Sequence, residues 1–246
     1  MSLQLQASPT ESFGPHHGRD DHLNGHAESR AFIELYTAAA VRMIIGRPSS
    51  ERKPAIIGLL AFASLLREIW DAAKGGDPYA RYWLLKVEVA IAKAEATIES
   101  DLAAVRETMM ACQPMGIDLG RGNSPRRIDL MFACPYAYHG ARLIKQLDTL
   151  IIELDTSAEI GALRKADTTR TRLRCERAMR STFSTSQGFW RFGLTDELVK
   201  KKDPKAIDAA AKMGAVPGEV LRGERWPTLL DQALAPSRTG NAHGNT

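Results

Sequence analysis

From Tyr79 to about Met110 the chain runs without a glycine or a proline, and the run is rich in Ala, Glu and Lys. Nothing in it can stop a helix, so it predicts one long helix. Its start is marked by Asp77-Pro78, a carboxylate at the N-cap followed by proline at the first helical position. Tyr82, Leu85, Val89, Ala92, Ala96, Leu102 and Val105 recur near the helical period and predict its buried stripe. Tyr79, Arg81, Trp83 and Lys86 fill out the first turns. The second half reads as one arm of an antiparallel helical hairpin or as a dimer-spanning arm. A solvated helix with a single buried side is the plainer alternative.

The stretch before it, Arg30 to Lys74, changes period. Arg30-Ala31-Phe32-Ile33-Glu34-Leu35-Tyr36 alternates as a strand does, with Ala31, Ile33 and Leu35 on one face and Arg30, Phe32, Glu34 and Tyr36 on the other. Thr37 can cap a short helix from Ala38 to Ile45 that Gly46 closes. A basic, hydroxyl-bearing turn follows (Arg47 to Lys53), and Pro54 is expected to open an apolar helix reaching Lys74, ended by Gly75-Gly76. That helix carries Ile56, Ile57, Leu59, Leu60, Phe62, Leu65, Leu66, Ile69 and Trp70. This arc is too broad for one buried side, so a partner chain or later helices must enclose it. Strand, short helix, polar turn and longer helix is the order of a ribbon-helix-helix unit, in which strands of two chains pair antiparallel and enter the major groove. A lone strand leaves its edge groups unsatisfied, so a homodimer paired through Arg30 to Tyr36 is expected.

Residues 1–29, poor in apolar anchors, read as a disordered tail. Their histidines, His16, His17, His22 and His26, lack the fixed surroundings that a metal site requires, so no metal or cofactor is assigned. Gln113 to Pro125 is a turn-rich linker. Its Gly120-Arg121-Gly122-Asn123-Ser124 lacks the Gly-Lys-Ser/Thr close of a phosphate loop, and that reading is rejected. Ile128, Leu130 and Phe132 alternate as a second short strand. Pro135 to Gly140 is read as a compact turn before a helix from Ala141 to about Asp155, with Leu143, Ile144, Leu147, Leu150, Ile151 and Leu154 on its buried face. Asp148 and Glu153 on that helix are five apart and do not share a face.

Arg164 to Lys205 carries most of the excess positive charge. Asp167 is expected to cap a helix on which Arg170, Arg174 and Arg177 share a face, with Arg180 beside them and Cys175, Met179 and Phe183 as the apolar row. An arginine row suits a phosphate backbone; its alternative is a solvated basic face. Phe189 and Trp190 follow it. Thr195-Asp196-Glu197 starts a short helix ending near Lys200-Lys201-Lys202, Ala206 to Met213 forms another stopped by Gly214, and the stretch after about Ala233 reads as a disordered tail. The expected organisation is therefore tail (1–29), ribbon-helix-helix-like unit plus long helix (30–112), helical C-terminal part with a short strand and basic helix (126–226), and tail (233–246).

The chain has 246 residues, 44% of them hydrophobic, with a formal net charge of +4. That length can bury a large core, and the mild positive balance favours an anionic partner without requiring one. Three separated cysteines with no paired spacing suit a reducing compartment, and the apolar run Pro54 to Leu66 is too short to span a bilayer, so a cytoplasmic protein with no membrane partner is expected. No Gly-x-Ser-x-Gly, His-Glu-x-x-His, Gly-x-Gly-x-x-Gly or Cys-x-x-Cys occurs. No catalytic residue and no small-molecule substrate is assigned, and the protein is read as non-enzymatic.

Several blocks, in order, carry a resemblance. They are Gly46-Arg47, Lys53-Pro54-Ala55-Ile56-Ile57-Gly58, Ala61 to Trp70, Asp77-Pro78-Tyr79-Ala80, Cys134 to Ala141 and Leu147-Asp148-Thr149-Leu150. Together they resemble the AcaB-like transcriptional regulators of integrating conjugative elements and conjugative plasmids, over roughly Phe32 to Trp226. The resemblance implies a mainly α chain with a ribbon-helix-helix unit that binds double-stranded DNA and controls conjugation genes. A non-enzymatic accessory or scaffold protein of the conjugation machinery is the alternative. The residues themselves supply the candidate contacts. Arg30, Glu34 and Tyr36 face the bases, Glu34 as an acceptor for a cytosine amine. Ser49, Ser50, Arg52, Lys53, Arg170, Arg174 and Arg177 face phosphates, with the N-terminus of the helix after Pro54 aimed at the backbone.

Overall fold

A computed structural model describes residues 31–51, 54–112 and 124–239. The alternating stretch forms β1 (Ala31–Leu35), and its buried residues Ile33 and Leu35 follow the expected period. Thr37 caps α1 (Ala38–Ile45), its hydroxyl accepting from the Ala40 amide at 3.2 Å, and Gly46 ends it at φ 77°. Pro54 does not open a helix. Instead β2 (Gly46–Arg47) pairs antiparallel with β3 (Ile56–Ile57), and α2 (Leu59–Lys74) begins after Gly58. The two glycines make this crossing possible. A Cβ on Gly58 would lie 2.3 Å from the Gly46 amide nitrogen, and one on Gly46 would lie 2.3 Å from the Ile56 carbonyl oxygen.

The long helix is α3 (Pro78–Ala111), with the Asp77 carboxylate accepting from the Tyr79 amide at 2.9 Å and the Ala80 amide at 3.2 Å. Its buried stripe is only partly the expected one: Leu85 and Val105 are buried and Tyr82 and Leu102 half-buried. Leu84, Val87, Ile91, Ala94, Ile98, Asp101, Val105 and Met109 are buried, alternating by three and four, whereas Val89 is 58% exposed and Ala92 and Ala96 face outward. The true stripe contains a carboxylate, which breaks the apolar pattern in sequence. It is tolerated because Arg174 of a later helix pairs with Asp101.

After the linker comes β4 (Arg126–Leu130), two residues earlier than the alternation suggested. Pro135 starts a helix rather than lying in a turn, and α4 (Pro135–Glu159) absorbs the Pro-Tyr segment. All six residues expected on its buried face are buried. Then come α5 (Lys165–Ser184), a 3-10 turn (Thr185–Gly188), α6 (Asp196–Lys200), α7 (Pro204–Met213), α8 (Gly218–Leu221) and α9 (Thr228–Thr239), which enters the stretch read as a C-terminal tail. Asp167 stands in the first turn of α5, not at its cap, which is Arg164.

One expectation about pairing is overturned. β1 pairs antiparallel with β4 of its own chain, Phe32 opposite Asp129 and Glu34 opposite Arg127. An edge satisfied internally removes the reason for pairing two chains through this strand. The α3–α4 pair is parallel. Glu88 meets Tyr136, Glu95 meets Arg142 at 2.8 Å, Glu99 meets Gln146 at 3.3 Å and Arg106 meets Glu153 at 2.7 Å, so both numberings rise together. The antiparallel partner of α3 is α5, as shown by Trp83 donating to the Thr185 carbonyl at 2.9 Å and Thr182 donating to the Ala90 carbonyl at 3.1 Å. Most of the apolar arc of α2 is covered by α1, α3, α4, α5 and α9 of the same chain, Leu60 being 50% exposed. The tail read over residues 1–29 and the rejected phosphate loop lie outside the described residues.

Candidate nucleic-acid interface

The ribbon β1–β4 turns Ile33, Leu35 and Leu130 inward and presents Phe32, Glu34, Arg127 and Asp129 outward. Alternation dictates this, since partners opposite one another share a face. Phe32 is 46% exposed, with the Arg127 guanidinium 3.8 Å from its ring centroid and Asp129 3.6 Å from Arg127. The outward face is thus one aromatic and three charges, two of them acidic. Glu34 is half-buried, and its carbonyl accepts from the Lys145 ammonium at 2.5 Å. Tyr36 is half-buried as well, its amide donating to the Asp148 carboxylate at 3.0 Å and its ring 5.0 Å from the Lys145 ammonium. Arg30 lies outside the described residues.

Ser49 and Ser50 are exposed between β2 and β3; Arg52 and Lys53 lie outside the described residues. The expectation that the following helix aims its N-terminus at phosphates is not met. Gly58 and Leu59, where α2 begins, are buried against the end of α1.

On α5 the arginine row is real but unequal. Arg170 and Arg177 are exposed, Arg170 standing 3.6 Å from Asp167. Arg174 is paired with the buried Asp101 of α3, Nε to Oδ2 at 3.1 Å, and this contact raises its guanidinium pKa. The Cys175 thiol lies 3.1 Å from the same carboxylate; burial first, and that carboxylate second, push its pKa up to about 12. Glu176 is buried between Arg172, at 3.1 Å, and Arg180. Those three stand at i, i+4 spacing along one side of α5.

Sequence could not show what stands next to it. Arg42 and Met43 of α1, Gly46 and Arg47 of β2, Ile56 and Ile57 of β3, and Glu176 and Arg180 of α5 line one notch of about 170 Å³. The β2–β3 hairpin and the second half of α5 therefore sit side by side, with Arg47 and Arg180 on the same notch. Arg42 and Arg180 were not among the expected phosphate contacts, because nothing local in sequence links α1 to α5.

Three titratable groups of α4 are engaged in internal contacts. His139 lies in α4 near Tyr136, its pKa lowered by burial and by Arg142. Asp148 and Glu153 do not meet; the first binds the β1–α1 junction and the second binds Arg106 of α3. Among the described residues no three His, Cys, Asp or Glu side chains are grouped to hold a metal ion, and no helix is long and apolar enough to cross a membrane.

The described residues form a helical body with two short two-stranded ribbons and a basic notch between α1, the β2–β3 hairpin and α5. The family model described as transcriptional regulator AcaB matches residues 24–232, and the chain belongs to that family. Among solved structures, selenomethionine-containing AcaB from uropathogenic E. coli is similar at a TM-score of 0.52 and 14% identity, over 79% of this chain and 95% of that one. At that identity the likeness is one of fold. No curated protein matches the sequence.

Proposed function

We propose that the protein binds duplex DNA as a transcriptional regulator of conjugation or transfer genes on an integrating conjugative element. Membership of a transcriptional regulator family supports the regulatory role, and the family resemblance of the sequence blocks supports the conjugative setting. The observation that carries DNA contact is the meeting of Arg42 of α1, Arg47 of β2 and Arg180 of α5 around one notch, with exposed Ser49 and Ser50 following Arg47 in the chain. Phosphate contacts set register and carry no sequence information, so base reading falls to another element. In this reading that element is the outward face of the β1–β4 ribbon, formed within one chain, with Glu34 and Arg127 opposite one another as acceptor and donor.

Chromatin precipitation of the tagged protein in its host tests this directly. A few sharp peaks at promoters of transfer genes are expected. Uniform absence of enrichment would replace this reading with that of an accessory protein whose helical surfaces bind other proteins.

A further inference from the structure

The notch between α1, the β2–β3 hairpin and α5 is built differently from the rest of the basic surface. Its three arginines, Arg42, Arg47 and Arg180, come from three elements and face one small space of about 170 Å³. The carboxylate in its wall, Glu176, is buried and shared between Arg180 and Arg172, so it does not neutralise Arg42 or Arg47. The Arg47 guanidinium is held in place by donating from Nη2 to the Pro54 carbonyl at 2.9 Å, one of its five N–H groups. Met43, Ile56 and Ile57 form apolar wall, which lowers the local dielectric and strengthens attraction to an anion. The volume is below the several hundred Å³ of sites that enclose drug-sized ligands or cofactors. Ser49 and Ser50 lie just beyond its hairpin wall, and exposed Arg177 stands one turn before Arg180.

We propose that this notch seats a phosphodiester of the DNA backbone on Arg42, Arg47 and Arg180, and so fixes how the protein is set on the duplex. This rests on the regulator reading given above. The chemistry is that of guanidinium forks on phosphate oxygens, which carries affinity and salt dependence but no base preference. It places the main anchor at the edge where α5 meets the hairpin, with Arg42 and Arg47 engaged by no carboxylate of the described residues and Arg180 held by Glu176 as Arg174 is held by Asp101.

The test uses the full chain, with a duplex from a precipitated promoter and a random duplex of equal length, at several salt concentrations. Arg42→Ala with Arg47→Ala is the main variant. Both side chains are exposed, so its melting temperature should match that of the wild type. Affinity for both duplexes should fall by the same factor, and the slope of log K against log salt should flatten by about two units, one for each arginine removed. Arg180→Ala, which leaves Glu176 paired with Arg172, should flatten it by about one unit. Unchanged affinity and slope in the double variant, with a wild type that binds, would overturn the notch and leave the regulator reading standing. A wild type that binds neither duplex would overturn both. Loss of binding to the promoter duplex alone would make these arginines base readers and overturn the backbone assignment. If inorganic pyrophosphate raises the wild-type melting temperature but not the variant's, and DNA affinity is the same in both, the notch is a small-anion site and the DNA assignment falls.

Discussion

Asp148 shows how much one side chain can decide. It is fully buried on α4, yet its carboxylate accepts from the amides of Tyr36, at 3.0 Å, and Thr37, at 2.9 Å, with the Lys145 ammonium 3.8 Å away. Those amides lie at the junction of β1 and α1, ahead of the first helical turn. Replacing Asp148 with Ala strands two donors and should cost about 2–4 kcal/mol in urea unfolding, and Asn, which keeps one acceptor, should cost less. A loss below about 0.5 kcal/mol would mean that water takes over both amides. The cysteines offer a second test at this scale. Burial pushes the Cys134 thiol up to about 11 and the Cys175 thiol up to about 12, while Cys112 is exposed. A thiol pKa raised on folding means that the folded chain holds its proton where the unfolded chain has lost it. This contribution is complete below the ordinary thiol pKa near 9 and disappears as pH rises toward 12. Alkylation of the native protein at pH 8 should therefore modify Cys112 alone. Stability should decline from about pH 9 upward. Equal labelling of all three thiols in the native state would contradict the burial.

At the scale of elements, α3 carries two candidate stripes, and packing chose between them. Ile98 is fully buried in the seam against neighbouring helices, so Ile98→Ala should cost about 2–4 kcal/mol. Val89 belongs to the outward stripe, and Val89→Ala should stay within about 0.5 kcal/mol. Thermal melts of the two variants compare them directly, and equal losses would show that the outward stripe is covered in solution. The parallel setting of α3 and α4 also belongs to the scale of elements. Helix α4 starts beside the first half of α3, where Tyr136 meets Glu88, and β4, between the two helices in sequence, pairs with β1.

Across the whole molecule, the segment after α5 is fastened to α3 at two places. Buried Arg81 pairs with Asp196 of α6, and its guanidinium lies 4.6 Å from the Trp226 ring. Further along, Glu88 accepts from the Thr228 amide at 2.6 Å while the Tyr136 hydroxyl, which donates to Glu88, accepts from the Leu229 amide at 3.2 Å. A side chain of α3 thus caps α9 across 140 residues. Arg81→Met keeps the bulk of the side chain and removes the charge. Hydrogen exchange should then speed up over residues 195–226 while the amides of α4 and α5 keep their protection. Uniform acceleration along the chain would mean that this segment and the helical core unfold as one unit.

Local chemistry determined a great deal here by itself. Asp77-Pro78, Thr37, Gly46, Thr195 and Gly214 mark helix ends because caps and stops act within a few residues, and the buried faces of α4 and α5 follow from spacing alone. The mainly helical class with short strands came from the same signals. Pro54 misled because proline is compatible with a helix start and equally with extended backbone, and the choice rested on Gly46 and Gly58 meeting across the chain. The Pro135 turn was misread for the converse reason, since the proline there opens α4. Strand partner, helix direction and the convergence of Arg42, Arg47 and Arg180 were decided only by the tertiary structure. Each depends on which surfaces lie opposite one another. Period two or period 3.6 says which side of an element is buried, and carries no information about what buries it.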